Sequence, residues 1–107
     1  FIKCFYHVPL GEPFQGEIAK KEAEDNGADG VRQWRIDVLA ETKDGYAVIE
    51  LKPNAGAGAL GQVLAYSKLL QKEWNITRKI TPIVISDSVS PIMEQAAAML
   101  GVQVLVA

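Results

Sequence analysis

The stretch Arg35-Ile36-Asp37-Val38-Leu39-Ala40-Glu41-Thr42-Lys43-Asp44-Gly45-Tyr46-Ala47-Val48-Ile49-Glu50-Leu51-Lys52 reads as two apolar β-runs joined at an Asp-Gly turn. Asp-Gly between alternating hydrophobic runs is a strong hairpin signal. Asp37, Glu50 and Lys52 interrupt those runs, and charge inside an apolar strand is costly unless it is paired or binds metal. Register decides whether the three meet, because strand side chains alternate faces. With a two-residue loop at Asp44-Gly45, Asp37 lies opposite Lys52. With a four-residue loop from Thr42 to Gly45, Asp37 lies opposite Glu50. Either even loop puts Asp37, Glu50 and Lys52 on one face and sends Ile36, Val38, Ala47, Ile49 and Leu51 to the other, as core.

Two carboxylates held close together repel unless a cation sits between them. A hard divalent ion accepts such oxygens and keeps positions open for water and phosphate. It also makes water more acidic, and a nearby ammonium offsets charge building on a phosphate. The residues therefore point toward metal-dependent cleavage of a phosphodiester. The same charges also fit a solvated sheet face on which Lys52 pairs with Glu50 or Asp37.

Outward from the hairpin, Phe1 to Val8 alternates and is rich in aromatic and β-branched residues, which predicts a strand ended by Pro9, Gly11 and Pro13. Gln15 to Asp25 suits a short surface helix, and Asn26-Gly27 and Asp29-Gly30 suit turns. The hairpin strands are expected over 31–44 and 46–52, with Pro53 closing the second. After a small-residue loop, Ala59 to Trp74 reads as a helix with Leu60, Val63, Leu64, Leu70 and Trp74 along one stripe. Gln62 and Tyr66, four apart, share a face off that stripe. Ile80 to Ser86 is a buried strand. Ser90-Pro91 caps a helix to Leu100, Gly101 stops it, and Val102 to Val106 is a last strand. This order implies an α/β fold, a mixed central β-sheet with flanking helices.

At 107 residues, 49% hydrophobic and 22% charged, the chain suits one domain spanning 1–107 with a single core. It begins without methionine, so a fragment of a longer chain is also an expectation. The net charge of -2 gives no overall basic signal for nucleic acid. One cysteine, Cys4, excludes an internal disulfide and a cysteine zinc cluster and fits a reducing, cytoplasmic setting. One histidine, His7, excludes a histidine-rich metal site. No apolar run is long enough to span a bilayer and no signal peptide is visible.

Asp37, then Ile49-Glu50-Leu51-Lys52, then Gly61-Gln62-Val63-Leu64-Ala65-Tyr66 resemble the PD-(D/E)xK, or restriction-endonuclease-like, nuclease superfamily. The similarity is to its small Holliday-junction-resolvase-like and phage or archaeal members, and covers roughly residues 32–74. The resemblance implies that Asp37 and Glu50 bind Mg²⁺ (Mn²⁺ substituting), that the Leu51 carbonyl completes the shell and that Lys52 assists the attacking water. Gln62 and Tyr66 become accessory site positions. DNA is the implied partner, and a homodimer would carry two cutting centres. The residue before the first acid is Ile36 where the family has proline. The family usually draws a further glutamate from a helix ahead of the first strand; Glu17 and Glu24 are the residues here that can take that part.

Two other readings stay open. A member that keeps the fold but binds nucleic acid or protein without cutting fits the absence of that leading helix. Gly56-x-Gly58-x-x-Gly61 matches a dinucleotide-binding fingerprint, although Pro53, Asn54 and Ala55 separate the strand from the first glycine and the strand carries charge. Arg32, Arg35, Lys20, Lys21, Lys43, Arg78 and Lys79 suit either a phosphate-contacting rim or a scattered solvated surface. His7 is expected to be structural, with DNA contact or proton carriage as the alternative. Phe5, Phe14, Trp34 and Trp74 suit core or dimer contacts rather than base stacking.

Overall fold

In the computed structural model, residues 2–11 and 34–107 are described. The expected helix at Gln15–Asp25, the turns after it, and Glu17, Glu24 and Phe14 lie outside the described residues. Five strands form one sheet in the order β1-β2-β3-β4-β5. They are β1 (Lys3–Leu10), β2 (Trp34–Glu41), β3 (Gly45–Asn54), β4 (Lys79–Ser88) and β5 (Gln103–Val106). Helix α1 (Ala57–Glu73) joins β3 to β4, and α2 (Pro91–Leu100) joins β4 to β5. β1, β2 and β3 run antiparallel, while β3, β4 and β5 run parallel. The sheet is mixed, as the order of elements implied.

Each parallel step needs a crossover, and crossovers of one hand that step the same way lay their helices on the same face. The core follows from this. One cluster joins Val48 and Val84 of the sheet to Leu60, Val63 and Leu70 of α1 and Ala97 of α2. The opposite face has its own smaller cluster of Ala40, Ala47, Ile49 and Ile83. Tyr66, expected off the α1 stripe, is buried in the helix-side core, while Trp74, expected on it, is 42% exposed. Tyr66 turns inward to meet Trp34 at the start of β2, their ring centroids 6.3 Å apart. None of the described helices is long and apolar enough to cross a membrane.

The termini obey local chemistry. Ser90 Oγ accepts from Met93 N at 3.3 Å, Pro91 occupies the first turn, and Gly101 closes α2 with φ +74. Pro9 does not end the first strand. It lies within β1, which is an edge strand and leaves a missing N–H harmless.

The hairpin takes the second of the two registers, with Glu41 opposite Tyr46 and Leu39 opposite Val48. Thr42 and Gly45 exchange main-chain bonds at 2.7 and 3.4 Å, so Lys43 and Asp44 form the tip. Arg78, just before β4, donates from Nη2 to the carbonyls of Thr42 and Lys43, both at 3.0 Å, and its guanidinium lies 5.6 Å from the Tyr46 ring centre.

One expectation fails. Ile36 does not share a face with Val38. It belongs to the helix-side core with Leu39, three residues away, while Val38 packs on the other face. The same slip occurs across the ladder, where Phe5 and Val8 both meet the helix-side core. Leu51, also expected in the core, is 52% exposed. The cause lies at one level of the sheet. Tyr6 pairs with Val38 and Val8 with Ile36, but between them His7 has φ +53. A left-handed residue inside a strand breaks the two-residue alternation, at a cost on the order of 1 kcal/mol.

Gly45 is required by space rather than by dihedral angle, because a Cβ there would collide with the carbonyl oxygen of Lys79. Gly45→Ala should lower stability by about 1–3 kcal/mol. Gly58→Ala, where a Cβ meets nothing within 4 Å, should raise it by about 0.5–1 kcal/mol through helix propensity. Urea unfolding of both variants checks the pair, and equal effects would contradict the assigned packing.

Candidate active site

β2 and β3 stop pairing at Val38 and Ile49. Counting in steps of two from the Thr42–Gly45 pair, the next hydrogen-bonded pair of an unbroken ladder would be Ile36 with Leu51. Instead, the Leu51 N–H donates to Asp37 Oδ2 at 3.0 Å. A side-chain carboxylate thus takes the place of a main-chain carbonyl where the strands part. In extended backbone the N–H and C=O of one residue point to the same flank. The Leu51 carbonyl therefore also faces the opening, on the side of Asp37.

Glu50 is 0% exposed, and neither carboxylate oxygen has a hydrogen-bond partner among the described residues. Burial, followed by the neighbouring Asp37 carboxyl, pushes its pKa up from 4.5 to about 8; the Asp37 N–H and the Lys52 charge pull the other way. Lys52, two residues along the same strand, is half-buried. Tyr66 is raised above its ordinary value by burial first and then by the charge of Glu50, against a side-chain hydrogen bond with Gln62.

Asp37 is linked to Leu51 and Glu50, Glu50 to Lys52 and Tyr66, and Tyr66 to Gln62. Their neighbour Trp34 was read only as a core or dimer contact. It is 51% exposed, and its ring stands edge-on to Tyr66 at 6.3 Å between centroids. It also lines a cavity of about 530 Å³ with Leu10, Leu69 and Lys72. No local sequence signal marks Trp34, because the contact depends on how α1 crosses the sheet.

A divalent ion fits the donor set. Two carboxylates and a carbonyl are hard oxygen ligands, and the partnerless Glu50 oxygens are the buried groups that a cation would satisfy. No group of three or more His, Cys, Asp or Glu side chains is gathered at one place among the described residues. The dinucleotide fingerprint finds no support in geometry. Gly56 is the extended residue before α1, Gly58 and Gly61 lie inside the helix, and a Cβ at any of the three meets nothing within 4 Å.

No protein-family model and no curated protein matches the chain. Solved structures do. The complex of EndoMS with double-stranded DNA is 23% identical with a TM-score of 0.56, over 68% of this chain and 30% of that one. EndoMS in its apo form is 24% identical with a TM-score of 0.53, over 65% and 33%. A repair endonuclease from Pyrococcus abyssi is 18% identical with a TM-score of 0.58, over 91% and 49%. The fold is therefore one that these endonucleases contain. The chain spans less than half the length of each.

The Glu50 pKa has a measurable consequence without metal. Folded Glu50 keeps its proton to about pH 8, whereas an unfolded glutamate releases it near 4.5. Between those values the unfolded chain binds fewer protons, so rising pH favours unfolding. The melting temperature in EDTA should fall across that window and level off above it. Glu50→Gln should flatten the fall; identical pH curves for wild type and variant would refute the assignment.

Proposed function

We propose that the chain is a DNA phosphodiester hydrolase of the PD-(D/E)xK class that works with Mg²⁺, with Mn²⁺ able to substitute. The observation that carries this reading is the buried, partnerless Glu50 carboxylate beside Asp37, at the point where two strands separate. The solved structures most in keeping with it are endonucleases, one of them described with double-stranded DNA.

In this reading Asp37 and Glu50 hold the cation, with the Leu51 carbonyl as a third oxygen. When bound, the ion lowers the pKa of water and draws charge from the phosphate. The residues do the rest. The Leu51 N–H fixes the Asp37 carboxylate so that its other oxygen stays available. Burial makes Glu50 expensive to ionise alone, so cation binding and proton release go together. The half-buried Lys52 ammonium orients water and donates hydrogen bonds to the charge that grows on the phosphate oxygens. Gln62 and Tyr66, linked to each other, steady a phosphate from the α1 side. A homodimer would supply one such centre for each strand of a duplex.

Cleavage of plasmid and branched DNA with Mg²⁺ or Mn²⁺ tests this. Asp37→Ala, Glu50→Ala and Lys52→Ala should each slow it by about 100-fold or more, and Glu50→Ala should abolish Mn²⁺ binding by calorimetry. Equal cleavage by all four proteins would overturn the assignment. DNA binding without cleavage in the wild type would make this an inert member of the fold.

A further inference from the structure

We infer that His7 is a substrate-contacting residue of this site, its imidazole donating a hydrogen bond to a phosphate oxygen of the bound DNA strand next to Asp37. This deepens the nuclease reading and rests on it. Three observations converge on the residue. The β1–β2 register pairs Tyr6 with Val38 and Val8 with Ile36, which leaves His7 and Asp37 as the unpaired level between them. His7 carries φ +53 within a strand, a backbone conformation uncommon outside glycine. It is exposed, so it does not hold this conformation to fill the core.

The strained level and the open level of the sheet coincide. Both β1 and β2 change the face they show to α1 there, with Phe5 and Leu39 on one side of the break and Val8 and Ile36 on the other. That change lets Asp37 leave the regular alternation and bond the Leu51 N–H. Glycine would meet the backbone requirement at no steric cost. An imidazole at this level of the sheet, one strand from Asp37, adds what glycine lacks, a hydrogen-bond donor. Carboxylates repel a phosphodiester, and a ring N–H donor on the neighbouring strand gives the incoming phosphate a favourable contact.

Three variants separate the ring from the backbone. Gly supplies the backbone without a donor, Asn tolerates φ > 0 and keeps a donor, and Ala supplies neither. Affinity for a fluorescein-labelled duplex is measured by anisotropy in EDTA, cleavage with Mn²⁺ gives kcat and KM, calorimetry gives Mn²⁺ affinity, and thermal melts report folding. His7→Gly should melt at or above the wild-type temperature, bind Mn²⁺ as wild type does, lose about tenfold in DNA affinity and show a KM about tenfold higher. His7→Asn should recover most of that loss. Wild-type DNA affinity and cleavage in His7→Gly would overturn the inference, and so would a loss of Mn²⁺ affinity with DNA affinity unchanged, which would make His7 a support for Asp37. The two readings fail separately. A wild type that cleaves while His7→Gly equals it removes only the histidine contact. A wild type that never cleaves, yet loses DNA affinity in His7→Gly and regains it in His7→Asn, removes only the hydrolase.

Discussion

A carboxyl group in a dry sheet is costly to ionise, and neither oxygen of Glu50 has a hydrogen-bond partner among the described residues. Asp37 occupies the gap beside it, and the Leu51 N–H that should have continued the ladder is given to Asp37 instead. The site exists because β2 and β3 part at this level. Had they continued to pair, Leu51 would have bonded Ile36, and the two acids would have been ordinary cross-strand neighbours.

Much of this was legible in the chain. Glu50 and Lys52 sit two apart in a largely apolar strand, and either even-length loop around Asp44-Gly45 keeps them on one face with Asp37. Together these place both on the face that carries Val48 and Tyr46. The parallel half was equally readable, from Ser90-Pro91 at one end of α2 to Gly101 at the other. What failed was the simple extension of alternation to Ile36. Its place in the helix-side core is decided by His7, a residue more than two dozen positions away whose left-handed backbone no local rule announces. Tyr66 was misplaced for a related reason. A helical stripe read from periodicity fixes spacing but not which flank the sheet will cover, and the Trp34 ring that meets Tyr66 comes from the far end of β2.

The likeness to EndoMS and to the Pyrococcus abyssi repair endonuclease extends over 30–49% of their lengths. In this chain the face opposite α1 and α2 carries Ala40, Ala47, Ile49 and Ile83, a second apolar layer. One face of the sheet is thus given to supporting the charged end, and the other is lined by small and branched aliphatic residues.

The Arg78 guanidinium bears on the whole hairpin, although it lies at the far end from the acids. By bonding both carbonyls at the tip and covering Tyr46, it fastens the turn to the start of β4. The ribbon is pinned where it reverses and unzipped where it carries charge. With β3 also held to β4 along its length, Glu50 opposite Val84 and Lys52 opposite Ser86, the gap between the acids is set by where β2 leaves the ladder and not by sliding of the ribbon.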